Sequence, residues 1–202
     1  MKLAILGGSF NPIHIGHLML ADTVITELGY DMIAVTPAYV SPFKQKQAAS
    51  FSEWAPADDR IKMIERAVCG NSCLYCEKYE IYRQGISYTI DTIKYLYEKF
   101  SAPNEISAES VKGKIGLIIG DDLAQTLPSW KDADKIIQTA DIIIGKRLGT
   151  VQNISYPFKE LKNTVLPISS TEIRNAVRES KSFRYMLPAA VYEYIQMHKL
   201  YR

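Results

Sequence analysis

Hydrophobic and polar positions along the chain fall into short alternating blocks. Leu3-Ala4-Ile5-Leu6 is an apolar run closed by Gly7-Gly8, and Lys2 to Leu6 reads as a buried strand. From Gly16 the period becomes helical. Leu18, Ala21, Val24 or Ile25, and Leu28 share a face, and Gly29 is placed to stop the helix. Asp31 to Val35 gives a second strand, ended by Pro37. Strand, helix and strand in sequence are the unit from which parallel sheets are built.

The same reading predicts a helix over Ala57 to Val68 and a strand over Cys73 to Tyr82. A helix over Tyr88 to Phe100 follows, with Ser87 as its cap and Ile90, Ile93, Tyr97 and Phe100 on one side. Strands are expected over Lys114 to Ile119, Asp141 to Gly145 and Thr164 to Ile168, and a helix over Asp132 to Ala140. Ser169 and Glu172 are spaced as a capping box, and Pro188 opens a final helix to Leu200. The proline-bearing connection 37–57 is long enough to suggest a functional or mobile loop, and 101–113 reads as a polar surface loop. The pattern predicts an α/β fold, a doubly wound parallel sheet with C-terminal helices. No linker-like stretch divides it, so one domain over 1–202 is expected.

Composition changes this picture little. Charged residues make up 23 %, close to the globular norm of about 25 %. A net charge of +2 and a pI of 8.3 are too mild to predict a nucleic-acid or membrane surface. No apolar run approaches the roughly 20 residues of a membrane span, and no secretory leader is evident. Cys69, Cys73 and Cys76 are an odd count, which fits reduced thiols and a cytoplasmic protein; a fourth ligand for zinc is not evident.

Candidate chemistry lies where such sheets bind ligands, at the carboxyl ends of the strands. After the first strand comes Gly7-Gly8-Ser9-Phe10-Asn11-Pro12-Ile13-His14-Ile15-Gly16-His17. Glycines there let a backbone approach a phosphate, and the following helix offers free N–H groups and a positive dipole end. His14 and His17, three residues apart, can both donate to one phosphate chain. The spacing lacks the glutamate of a His-Glu-x-x-His zinc helix, and neither the Gly-Lys-Ser/Thr of a P-loop nor Gly-x-Gly-x-x-Gly occurs. Near the far end, Ile168-Ser169-Ser170-Thr171-Glu172-Ile173-Arg174 forms a second strand-to-helix corner with hydroxyls and an arginine fork suited to phosphate. Read alone, it is sooner an ordinary capping box with a surface arginine.

These two stretches resemble the signature of the His-x-Gly-His nucleotidyltransferase superfamily, and the likeness spans nearly the whole chain. Gly85-Ile86-Ser87-Tyr88-Thr89-Ile90-Asp91-Thr92 resembles the Ser-Tyr-Thr-x-Asp-Thr element of nicotinate-nucleotide adenylyltransferases, and Gly120-Asp121-Asp122 with Trp130 their Gly-x-Asp…Trp pattern. Ser41-Pro42-Phe43-Lys44 resembles their Pro-Pro-His-Lys loop, with Ser41 and Phe43 as departures. Asp59-Arg60-Ile61-Lys62-Met63 resembles their Arg-x-x-Met helix, and Asn11 stands where many relatives have Asp.

The resemblance implies a Rossmann-like nucleotidyltransferase fold and adenylyl transfer from ATP to nicotinate mononucleotide, a step of NAD biosynthesis. A nicotinamide-mononucleotide or pantetheine-phosphate enzyme, or a non-catalytic nucleotide sensor, are the alternatives. It implies catalytic roles for His14, His17, Lys44 and Arg174. ATP would be bound by Gly7, Gly8, Ser9, Phe10, Gly120, Asp122, Arg147, Ser170 and Thr171. Ser87, Tyr88, Thr89 and Trp130 would bind the nicotinate nucleotide, largely through backbone N–H groups and Thr89, with Trp130 against the ring. Mg2+ would come bound to substrate rather than to a protein cage. No nucleic acid or membrane partner is expected, and a homo-oligomer remains open.

Overall fold

A computed structural model of the chain describes residues 1–42, 54–101, 109–147 and 153–202. Its centre is a six-stranded, all-parallel sheet in the order β3-β2-β1-β4-β5-β6. The strands are β1 (Leu3–Gly8), β2 (Met32–Pro37), β3 (Leu74–Cys76), β4 (Ile115–Gly120), β5 (Ala140–Gly145) and β6 (Lys159–Glu160). The helices are α1 (Ile15–Leu28), α2 (Ala57–Val68), α3 (Tyr79–Arg83), α4 (Thr89–Lys99), α5 (Asp121–Ala124), α6 (Ala133–Thr139), α7 (Ser170–Arg178) and α8 (Ala189–Met197).

Both faces of the sheet are covered, which is why its strands are continuous apolar runs rather than alternating ones. Ala4 and Leu6 of β1, Ile33 and Val35 of β2, Ile118 of β4 and Ile143 of β5 share one core with α1, α2, α7 and α8. Leu3 and Ile5, Leu117 and Ile119, and Ile142 and Ile144 share the other with α4 and α6. The chain leaves β1 toward β2 on one side and returns at β4 on the other. The crevice of the sheet therefore opens between the carboxyl ends of β1 and β4, where ligands bind in such folds.

The expected helix at Ala57–Val68 forms with those bounds, and Gly29 ends α1 in the left-handed conformation at φ 63°. Three expectations need correction. The strand predicted over Cys73 to Tyr82 stops at Cys76, and Tyr79–Arg83 is helical. Glu77 turns the chain: its buried carboxylate accepts the Tyr79 N–H at 3.0 Å and pairs with Lys99 of α4 at 2.6 Å. No strand forms over Thr164 to Ile168, because Pro167 supplies no donor and the Ile168 N–H folds back onto the Leu166 carbonyl at 2.8 Å. The edge is instead Lys159–Glu160, whose exposed charged side chains give no apolar signal but suit an edge strand. Finally, Ser87 does not cap α4; its hydroxyl is engaged elsewhere. The connection 37–57 lies mostly outside the described residues, as does most of 101–113.

Candidate active site

The corner after β1 places its groups by sterics. Gly7 is exposed with open space where a side chain would stand, so the backbone is accessible there. At Gly8 a Cβ would meet the Phe10 ring at 3.1 Å. Phe10 itself is buried with φ 44°, and its ring meets that of His17 edge-on at 5.0 Å. The buried phenyl group thus packs against the histidine.

His14 is the N-cap residue of α1 and His17 lies one turn in. Their rings stack at 3.6 Å with a 27° tilt. The backbone N–H of His14 donates to Nδ1 of His17 at 3.2 Å, which leaves Nε2 to carry the proton of the neutral ring. Nδ1 of His14 is buried and has no hydrogen-bond partner among the described residues. A Cβ on Gly16 would approach that atom to 3.1 Å, so the glycine leaves room for the ring. Burial, then the nearby Arg147 guanidinium, pushes the His14 pKa down to about 4. Burial, then His14 and Arg147, holds His17 well below the usual range. Without an anion, both rings are neutral donors rather than cations at pH 7.

Asp122 and Arg147 form the opposite wall. Asp122 follows β4 and Arg147 follows β5, and the two pair at 3.0 Å. The Arg147 N–H also donates to Asp121 at 2.9 Å. A Cβ on Gly120 would fall 2.2 Å from the Asp122 carboxylate and 2.7 Å from the Arg147 side chain. Lys146, its neighbour in the chain, turns away to Glu160 at 3.1 Å.

The second corner folds onto the first. Ser169 and Glu172 form the expected capping box at the start of α7. Ser170 Oγ donates to the Pro12 carbonyl at 2.8 Å, and Arg174 donates to the Asn11 carbonyl at 2.9 Å and to Thr171 Oγ1 at 3.3 Å. The two stretches therefore share one site, with Ser170 and Arg174 bracing the loop that presents the histidines.

The remaining candidates gather around the N-terminus of α4. Tyr88 is its N-cap residue, and its side chain makes no capping hydrogen bond. Lys131 ties this turn to the one bearing Trp130: its ammonium lies 4.4 Å from the Tyr88 ring centre and 3.3 Å from Asp91. Trp130 is half-buried against the second core and donates through Nε1 to Thr126 at 3.2 Å. Buried Ser87 accepts the Tyr39 N–H at 2.9 Å, and Thr89 is half-buried beside it. Lys44 lies outside the described residues. Among the described residues, no three His, Cys, Asp or Glu side chains cluster to hold a metal ion.

Sequence reasoning noted Arg60 and Asn11 in its motifs but gave them no part in the site they shape. Arg60 is buried and donates to the carbonyls of Ser9 at 2.9 Å and Ala38 at 2.6 Å, joining the loops after β1 and β2. Its signal is a charge on the apolar face of α2, in register with Met63 and Ile64. Asn11 Oδ1 accepts from the Ala55 N–H and from the Tyr201 hydroxyl, each at 2.9 Å. No local pattern foretells the reach of Tyr201.

This architecture is that of a nucleotidyltransferase: the cytidylyltransferase-like family model matches residues 5–176. The chain is 37 % identical to the probable nicotinate-nucleotide adenylyltransferase of Treponema pallidum, over 100 % of both chains. It is 34 % identical to the protein of that name from Borrelia garinii, covering 100 % of this chain and 95 % of the other. The chain belongs to the nicotinate-nucleotide adenylyltransferase family. In fold it matches the Plasmodium falciparum nicotinic acid mononucleotide adenylyltransferase complexed with NaAD, with TM-score 0.73, 18 % identity and coverage of 99 % and 97 %. The same Plasmodium enzyme complexed with APC matches at TM-score 0.71, with 17 % identity and coverage of 99 % and 96 %.

Proposed function

We propose that the chain transfers the adenylyl group of ATP to nicotinate mononucleotide, giving deamido-NAD and pyrophosphate. The observation that carries this is the pair of bonds from Ser170 and Arg174 to the carbonyls of Pro12 and Asn11, which brings both phosphate corners to one crevice. The acceptor's phosphate oxygen attacks the α-phosphorus in line, and the bond to the bridging α–β oxygen breaks. The attacking group is already anionic, so no protein nucleophile is needed. Catalysis is positioning plus neutralisation of charge on the phosphates.

In this reading the Nε2–H of His17 serves the α-phosphate. His14, Arg174, Ser170, Thr171 and Lys44 serve the departing pyrophosphate. A bound triphosphate supplies the negative charge that favours protonation of both rings. Gly7, Gly8 and Ser9 offer backbone to the phosphates, and Gly120, Asp122 and Arg147 face the nucleoside. A magnesium ion would come with the triphosphate rather than from a protein cage, and would supply charge neutralisation on the phosphates. The uncapped first turn of α4 suits the pyridine carboxylate, because a helix N-terminus without a side-chain acceptor offers its amides to an anion. Tyr88, Thr89 and Trp130 complete that pocket. The chain works as one domain, a reading supported by the bond from Tyr201 near its end to Asn11 near its start.

Pyrophosphate release tests this with ATP and nicotinate mononucleotide, beside nicotinamide mononucleotide and pantetheine phosphate. The nicotinate substrate is expected to give the highest kcat/KM. His17→Ala is expected to lower kcat by about 10²–10⁴-fold. No release with the nicotinate substrate, or undiminished release from His17→Ala, would contradict the proposal.

A further inference from the structure

Arg60 lies on the buried face of α2 and is only 3 % exposed. Its guanidinium stays charged in a folded protein, and burying a charge without a counter-charge is costly. Among the described residues no carboxylate pairs with it, and its Nε has no hydrogen-bond partner. Two backbone carbonyls face it instead, with the Trp54 ring centre 5.8 Å from the guanidinium carbon. A cation kept at that cost calls for a use.

The two carbonyls belong to different halves of the crevice. Nη1 carries two protons, and it donates to Ser9 at 2.9 Å and to Ala38 at 2.6 Å. Ser9 closes the glycine turn of the proposed ATP corner and leads into Phe10, whose ring packs edge-on against His17 at 5.0 Å. Ala38 opens a segment that is sewn to the start of α4, where the acceptor pocket is proposed. The Tyr39 N–H donates to Ser87 Oγ at 2.9 Å, the Ser87 N–H donates to the Val40 carbonyl at 2.9 Å, and Val40 and Ile86 form a parallel bridge. Pairing of β1 with β2 runs out at Gly8 and Pro37, followed by one bond from the Ala38 N–H to the Gly8 carbonyl at 2.8 Å. Arg60 carries the tie one residue further, to Ser9.

We propose that Arg60 is a positioning residue for the transfer step: by holding the Ser9 and Ala38 carbonyls on one nitrogen, it fixes the spacing between the ATP corner and the acceptor pocket. It acts through those two loops rather than on the reacting atoms. In-line attack needs the acceptor oxygen within about 3–3.5 Å of the α-phosphorus, so the spacing of the two corners governs the rate more than the affinity of either. This inference rests on the proposed adenylyl transfer.

The test is steady-state kinetics of pyrophosphate release with ATP and nicotinate mononucleotide varied in turn. Urea unfolding of each variant confirms that it is folded at the assay temperature. Arg60→Met keeps a buried stem and deletes both donors. It is expected to lower kcat about 100-fold, the cost of roughly 1 Å of misplacement, with both KM values within about threefold of wild type. Arg60→Lys returns the charge on a shorter stem without the planar head, and is expected to stand about tenfold below wild type in kcat. An unmoved kcat in folded Arg60→Met overturns the role. So does a rise in either KM with kcat intact, which would make Arg60 the support of one pocket only. Full recovery in Arg60→Lys also overturns it, because charge and not geometry would then be what matters. Should Arg60→Met fail to fold, Arg60→Lys carries the test alone: a tenfold fall in kcat with both KM values held supports the role, and an unmoved kcat overturns it. A wild-type protein that releases no pyrophosphate with nicotinate mononucleotide sinks the functional reading instead, so the two failures are distinct.

Discussion

His14 shows how much a single side chain's setting decides. Its pKa of about 4 in the fold contrasts with 6.5 in an unfolded chain. Above about pH 6.5 the ring is neutral in both states and costs nothing. Between about 6.5 and 4 the unfolded chain takes up a proton that the native site refuses, so stability falls with pH. At about 1.4 kcal/mol per pH unit, the difference amounts to about 3 kcal/mol. Urea midpoints at pH 7.0 and 4.5 check this: the wild type is expected to lose more stability than His14→Asn, and identical losses would show that His14 is not held neutral. Both histidines were legible as a pair in the sequence. Their neutrality was not, since it comes from burial and from Arg147, which follows another strand.

At the scale of elements, the first turn of α1 sets helix stability against site geometry. Alanine in place of Gly16 improves intrinsic helix propensity by about 1 kcal/mol. Its Cβ would also stand 3.1 Å from Nδ1 of His14, so the stacked ring must shift by a few tenths of an ångström. Stability is then expected to hold or rise in Gly16→Ala, while kcat falls about tenfold, because small misplacements at a reacting centre are costly. Thermal melting and pyrophosphate release on the same sample check both parts. Loss of stability with activity intact would reverse the assignment. The strands β1, β2, β4 and β5 were readable because each is an apolar run buried on both faces. The short strands β3 and β6 were misread. One is cut off by the Glu77 turn, and the other consists of two charged residues chosen by a neighbouring edge.

Across the whole molecule, the C-terminal part closes the fold over the site's foundations. Tyr194 of α8 donates to Asp59 of α2 at 2.6 Å, and Tyr201 reaches Asn11. Tyr201→Phe removes one donor on Asn11 Oδ1 and leaves the Ala55 N–H in place. The expected loss is about 1 kcal/mol by chemical denaturation, the net worth of one hydrogen bond. A neutral substitution would mean that the terminus merely rests on the loop.

Local pattern alone determined the alternation of strands and helices, the parallel sheet it requires, and the two glycine- and hydroxyl-rich corners at strand ends. These follow from periodicity, backbone sterics and helix-terminus chemistry, which act over a few residues. Only the tertiary structure decided that Ser170 and Arg174 brace the loop carrying His14, that Arg60 joins two loops, and that Ser87 bonds with Tyr39 instead of capping α4. Those outcomes depend on which distant donors meet which acceptors once the sheet is assembled, and no spacing along the chain encodes that.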